Sequence, residues 1–207
     1  MYKNEFDNYL KQNKKFKSYM FYGQSMFLVE QYSLAIAQSF GENDEIEKLY
    51  FEEYNFKYAK DKLLQSSLFS SNNILLIKVE KKLPKKEVDT LIEACNANPD
   101  STLIFACLGD GDFKTMESSF SLKTNSAAVR FFQPTDTEAI RFLEYEAKLL
   151  EMQDEISALN HLYFMHKNDL ALCVNDLKKL AILDQLITVN LVDANCFGIG
   201  VINFEDF

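Results

Sequence analysis

Two histidines, four cysteines, six glycines and three prolines among 207 residues leave little material for most kinds of site chemistry. His161 and His166 stand five apart in a stretch of helical period, so they do not share a face as i,i+4 metal ligands would. They read as ordinary surface or interdomain histidines. Cys95, Cys107, Cys173 and Cys196 are widely separated, whereas a zinc site or redox pair would bring two of them within a few residues, so the expectation is buried free thiols. No serine sits in a nucleophile-elbow pattern, and hydrolase chemistry therefore has no visible carrier. Long apolar runs are also lacking: residues 74–77 and 102–107 fall far short of the roughly 20 residues a membrane helix needs. The opening seven residues scatter charge where a secretory signal carries an unbroken apolar stretch. No membrane span and a cytoplasmic location are expected. Positive charge is short too, since a formal net charge of −9 argues against a surface that binds nucleic acid by itself. The lysine-rich stretches 11–17 and 78–86 read as solvated faces or loops.

What is present is apolar material, 47% of the chain, enough for one large or two small cores. Short β-branched or aromatic runs alternate with helical periods as far as residue 133. Strands are expected at 19–22, 48–51, 74–79, 102–107 and 128–132, and helices at 26–38, 58–65, 85–97 and 113–120. Such alternation predicts an α/β fold, a mostly parallel sheet with helices on both faces. Residues 74–77 and 103–107 are apolar at consecutive positions, the pattern of central strands covered on both sides. Pro84 suits the first turn of the helix after it.

After Pro134 the pattern becomes helical throughout, which divides the chain into a domain at 1–134 and a small helical one at 135–207. Thr135-Asp136-Thr137-Glu138 has the spacing of a capping box, so a helix is expected from Asp136 to about Leu150. A second fits 154–166. A third follows Asn168-Asp169, either of which can cap it, with Leu170, Val174, Leu177, Leu180 and Ala181 as its apolar stripe. These three make a small bundle. Residues 188–193 read as an extended entry into a last short helix ending near Gly198.

An α/β domain followed by a helical one invites a search for a phosphate loop, which would read G-x-x-x-x-G-K-[ST] after the first strand. The chain instead reads Gly23-Gln24-Ser25-Met26-Phe27-Leu28-Val29-Glu30, with one glycine and no lysine. The third strand ends Lys78-Val79-Glu80-Lys81, without the acidic pair that would hold magnesium. Asp110-Gly111-Asp112 is a turn rather than a calcium loop, because the glycine and Glu117 fall at the wrong positions. No catalytic residue, metal ligand or cofactor-binding residue is assigned, and no cofactor is expected.

Several segments resemble, in order, a known family. Tyr19-Met20-Phe21-Tyr22-Gly23-Gln24-Ser25-Met26-Phe27-Leu28-Val29-Glu30 resembles the opening of the delta subunit of bacterial DNA polymerase III, where a strand and a glycine lead into a helix without a phosphate loop. Leu64-Gln65-Ser66-Ser67-Leu68-Phe69-Ser70 is similar to that family's Leu-Phe segment, and residues 168–181 to its lid-domain helix. The end, Asn203-Phe204-Glu205-Asp206-Phe207, is similar to the family's link into a third domain.

The resemblance implies an AAA+-like sheet domain and a three-helix lid, with a collar domain for pentamer assembly beyond the last residue here. It implies a non-hydrolysing clamp-loader subunit, not an enzyme, that binds the sliding clamp (the beta subunit) and favours its open form. Its other partners would be the ATP-binding loader subunits and delta prime, with primed DNA met only inside the assembled complex. Leu68 and Phe69 would form the clamp-binding wedge, framed by Ser67 and Gln65; the bland alternative is that both close the local core. Two other functions stay open: a divergent nucleotide-dependent transferase or ATPase, against which the missing loop stands, and an interaction module unrelated to replication, against which the Leu-Phe segment stands.

Overall fold

Residues 1–65, 72–109 and 111–198 are described by the computed structural model, and the chain divides into two compact units, Met1–Gln133 and Pro134–Phe207. In the first unit five strands, β1 Ser18–Gly23, β2 Ile46–Tyr50, β3 Asn73–Val79, β4 Ser101–Cys107 and β5 Ser126–Phe131, form one sheet in the order β2-β3-β4-β1-β5. Every pairing is parallel. Helices α1 Lys3–Lys11, α2 Met26–Gln38, α3 Phe56–Leu64, α4 Lys85–Ala97 and the one-turn α5 Lys114–Glu117 accompany it.

The period-2 alternation of strand side chains sorts the core into two layers. Met20, Leu75, Ile77, Leu103 and Phe105 pack with Leu63 of α3 and Val88, Leu91 and Ile92 of α4. Tyr19, Phe21, Leu76, Ile104 and Val129 pack with Phe6 of α1 and Leu28, Val29 and Ile36 of α2. Burial on both faces is why the strands are apolar at consecutive positions. Each such side chain contributes about 1.5–3 kcal/mol on leaving water.

Three features of this unit depart from the sequence reading. Helix α1 was not expected: its buried side chain is Phe6, whose ring meets Tyr19, Phe21 and Tyr32 at centroid distances of 6.2, 5.5 and 6.2 Å. One buried residue leaves no periodic stripe to read. The helix expected over 113–120 shortens to Lys114–Glu117; Phe113 and Met116 enter the core as the spacing suggests, but the chain then turns, and Phe120 meets the edge of the Phe105 ring. Pro84 is the N-cap of α4 rather than part of its first turn.

The second unit contains α6 Asp136–Leu149, α7 Ile156–Met165, α8 Leu170–Ala181 and α9 Val189–Asn195. The Thr135–Glu138 capping box is formed in both directions, with Glu138 N–H donating to Thr135 Oγ1 at 3.4 Å and Thr135 N–H to Glu138 Oε2 at 2.9 Å. Asp169 caps α8, accepting from the N–H groups of Ala171 and Leu172 at 2.8 and 3.1 Å.

The extended segment expected over 188–193 is instead helical. Thr188 accepts from Leu191 N–H at 3.2 Å as the N-cap of α9, which packs on α7 and buries Val192. The β-branched residues that suggested a strand serve as a cap and a packing contact. Tertiary burial outweighs their few tenths of a kcal/mol of intrinsic preference.

His166 also departs from its reading as a surface or interdomain histidine, since its partner lies in the same unit. It is buried, and its Nε2 lies 2.7 Å from Asp176 Oδ2, while Lys179 Nζ reaches the other oxygen of Asp176 at 2.5 Å. Burial would by itself raise the Asp176 carboxyl, but the hydrogen bonds from Lys179 and His166 outweigh it and hold the group below its ordinary value. A depressed folded-state pKa gives stability that is full above the unfolded value, about 4, and is lost as pH falls through the folded one. The melting midpoint should therefore drop on acidification below about pH 4. Asp176→Asn should be less stable at neutral pH by about 1–3 kcal/mol and should show a flatter acid limb. Melts followed by circular dichroism across pH check this, and an Asn variant with an unchanged acid limb would contradict it.

Candidate functional site

In open α/β sheets ligands gather at the carboxyl ends of the strands, so the exit of β1 is the first place to look. Gly23 closes β1 at φ +139°, beside Phe131 of β5. A Cβ there would stand 2.0 Å from the Phe131 carbonyl oxygen, and the next residue, Gln24, donates its N–H to that same oxygen at 2.8 Å. The glycine that survives from a phosphate-loop pattern is thus held by the approach of two strands. Ser25 caps α2 by accepting from Leu28 N–H at 3.4 Å, which takes up one of the donors an anion would need. Leu28 and Val29 in the first turn are buried.

Beside this turn lies a cavity of about 210 Å³, lined by Tyr22, Gln24, Gly109, Gly111, Lys114 and Arg130 among others. Burial and a hydrogen bond with Glu117 push the Tyr22 phenol well above its ordinary pKa, so it stays neutral. The Arg130 guanidinium lies 5.0 Å from the Phe132 ring centroid. At the end of β3, Lys78 pairs with Glu30 of α2 at 2.6 Å and sits 5.1 Å from the Tyr50 ring centroid. The cation near the end of β3 is thus neutralised by Glu30. Asp112 accepts from Lys114 N–H at 3.2 Å in an Asx-type turn; Asp110 lies outside the described residues.

At the opposite, amino-terminal edge of the sheet, α3 ends and β3 begins. Leu68, Phe69 and Ser67 fall within 66–71, outside the described residues; Gln65 is exposed at the C-cap of α3, next to Leu64, which is also exposed. A helix end leaves its last carbonyls without intrahelical donors. Here Gln65 N–H donates to Asp61 O and Lys62 O at 3.0 and 3.2 Å, and further donors reach this end from across the fold. Asn73 Nδ2 at the head of β3 donates to Lys62 O at 2.6 Å and approaches Gln65 O at 3.5 Å. Asn98 Nδ2, between α4 and β4, donates to Leu63 O and Gln65 O at 3.0 and 3.1 Å. Ser101 Oγ adds a bond to Leu63 O at 2.7 Å. The sequence analysis assigned no role to these three; their one signal is position, each standing at or just before the start of β3 or β4.

No group of three or more His, Cys, Asp or Glu side chains placed to hold a metal ion occurs among the described residues. Among them also, no helix is long and apolar enough to cross a membrane. The four cysteines are free and buried. Burial drives the Cys173 and Cys196 thiols up to about 12, which keeps them protonated.

Against this geometry, a family model described as DNA polymerase III, delta subunit matches residues 19–132, and one described as a middle domain matches residues 135–194. Two Helicobacter pylori proteins are similar, one 28% identical over 207 residues and the other 29% over 209. Each alignment covers 91% of this chain and 61% of the relative, so the chain spans about three-fifths of the length of these curated relatives. Among solved structures, the Bacillus subtilis DNA clamp loader delta protein matches with a TM-score of 0.63 at 16% identity, over 94% of this chain and 62% of that one. The Thermotoga maritima RuvB Holliday junction branch migration motor matches with a TM-score of 0.56 at 12% identity, over 91% and 64%. Identities this low speak for the fold alone, an AAA+-like parallel sheet with flanking helices and a helical C-terminal part.

Proposed function

This chain belongs to the DNA polymerase III delta-subunit family, and from that premise we propose that it works in replication as a non-hydrolysing clamp-loader subunit, a protein-binding adaptor that grips the sliding clamp. The observation that carries the reading is the family match over residues 19–132, which spans the sheet together with the Leu-Phe segment. The β1 exit supports it: the Gly23–Phe131 approach and the Ser25 cap fill the place of a phosphate cradle. Leu68 and Phe69 supply the apolar contact, with Gln65 and Ser67 as its polar frame. Grip alone suffices for ring opening, because a surface that fits the open ring better than the closed one shifts the equilibrium by the difference in affinity. The ATP-binding loader subunits and delta prime complete the machine, and primed DNA is met within it. The net charge of −9 agrees with a chain that does not hold DNA by itself.

Titration of the pure protein with ATP and magnesium in a calorimeter should give no binding heat, and phosphate release should not follow the protein through purification. Saturable ATP binding with turnover that co-purifies would overturn the non-hydrolysing role. Immobilised sliding clamp should capture the chain reversibly with no nucleotide present, and failure of that capture would overturn the adaptor reading.

A further inference from the structure

The cavity at the exit of β1 carries its positive charge on side chains rather than on a helix end. Arg130, near the end of β5, lines it together with Lys114, the first residue of α5. The Arg130 Nε–H is buried and has no hydrogen-bond acceptor. A buried cationic donor left unpaired is costly, and native structures keep few such groups without a use for them. No ion pair among the described residues engages Arg130 or Lys114. The other charges nearby are committed to bonds inside the protein. Asp112 Oδ1 accepts from the Lys114 N–H in its own turn, Glu117 is bonded to the neutral Tyr22 phenol, and Lys78 is paired with Glu30. That leaves Arg130 and Lys114 as the charged lining side chains without a hydrogen-bond or ion-pair partner among the described residues.

The surface beside these cations is aromatic. The Arg130 guanidinium lies against the Phe132 ring, Phe132 meets Tyr2 at a centroid distance of 5.6 Å, and the two rings are 47% and 59% exposed. Tyr2 is held there by its parallel bridge to Arg130. We propose that this cavity receives the carboxylate of an acidic side chain on a partner protein, with Arg130 and Lys114 as its ligands and an apolar neighbour of that acid resting on Phe132 and Tyr2. The guanidinium offers Nε–H and an adjacent Nη–H side by side, a fork that matches the two oxygens of a carboxylate, and Lys114 adds a point charge. A volume of about 210 Å³ suits one inserted side chain and falls below the roughly 300–1,000 Å³ of sites that enclose a whole small ligand. A free carboxylate would also leave both rings in water, whereas a peptide covers them. Because the net charge is −9, an acidic partner gains nothing from the field of the whole chain, and the contact depends on these two cations. The site lies at the carboxyl end of the sheet and does not depend on the clamp reading.

Proton–nitrogen correlation spectra of isotope-labelled protein test this with the capped peptide acetyl-Phe-Glu-amide, its acetyl-Phe-Gln-amide counterpart, inorganic phosphate and ATP without magnesium. The Glu peptide should move the Arg130 Nε–H signal and the backbone signals of Gln24 and Lys114 saturably in the low-millimolar range. The Gln peptide should bind at least about ten-fold more weakly, since it keeps the shape and loses the charge. Arg130→Lys keeps the charge and loses the fork, and should weaken the Glu peptide by about ten-fold. Lys114→Met, at an exposed position, should weaken it by about three-fold. Equal responses to the two peptides, or undiminished affinity for the Glu peptide in Arg130→Lys, would overturn the proposal. If phosphate or ATP moves the same signals at lower concentration than the Glu peptide, the site takes a phosphate and the carboxylate assignment falls. Should Arg130→Lys not fold, Lys114→Met carries the comparison, and undiminished affinity there overturns the proposal.

Discussion

Replacing Leu68 and Phe69 together by alanine is expected to remove measurable clamp binding and leave the circular dichroism melt nearly unchanged. If each side chain passes from water into an apolar pocket on the clamp, the pair contributes about 3–6 kcal/mol, from about 1.5–3 kcal/mol apiece. Its loss would weaken affinity by roughly a hundred- to ten-thousand-fold, at 1.4 kcal/mol per factor of ten. That share is large because ordering and association costs consume much of what the remaining contacts supply. A few central anchors of this kind commonly dominate an interface. The stability readout separates the two roles the residues can have. Core residues of this size cost about 2–5 kcal/mol each on truncation to alanine, so a variant that unfolds assigns them to the core. A variant that folds and still binds as wild type removes them from the interface.

The fold was legible where the sequence carries a period. Residues 74–77 and 103–107 announced strands buried on both faces because consecutive apolar residues have no other use in so short a run, and β3 and β4 lie inside the sheet. The Thr135–Glu138 box was legible because a capping pair is local and needs no knowledge of what the helix packs on. Elements that depend on a single distant contact were not. Helix α1 turns on Phe6 reaching Tyr19 and Phe21 and leaves no stripe in its own residues, while the last short helix was expected but its start was placed too late, because α9 begins at Val189 and turns on Val192.

The pairing of His166 with Asp176 and the amide cluster around the end of α3 follow the same rule for polar groups. A buried His or Asn looks like a surface one until the fold supplies its partner. At the β1 exit the missing phosphate loop could be read directly. The reason its one remaining glycine stays could not, since Phe131 is more than a hundred residues away in sequence.

That glycine carries the second large effect. Gly23→Ala is expected to destabilise the first unit by about 2–6 kcal/mol, adding about 1–3 kcal/mol for a side chain at an unfavourable positive φ and a similar cost for forcing apart packed groups. Its new Cβ would start 2.0 Å from Phe131 O and 2.7 Å from Phe131 N, both of them backbone, so no rotamer change can relieve the overlap and β5 itself must move. On a folding free energy of about 5–15 kcal/mol this lowers the melting midpoint by roughly 5–25 °C. Gln24→Ala next to it should shift the midpoint little, because that side chain is exposed and the neighbouring hydrogen bond to Phe131 is made by its backbone.

The pair of variants also distinguishes what the turn is for. A glycine retained to admit phosphate would tolerate alanine in the melt and lose ligand-dependent stabilisation, because a ligand that binds only the folded state raises the midpoint by mass action. A glycine retained to let β1 close on β5 shows the reverse: a large loss of stability with no ATP present, and no recovery when ATP and magnesium are added. Differential scanning calorimetry of wild type, Gly23→Ala and Gln24→Ala with and without nucleotide reads both at once. A Gly23→Ala midpoint equal to that of wild type would mean that β5 can yield at Phe131, and the strand-closure account of the turn would fall.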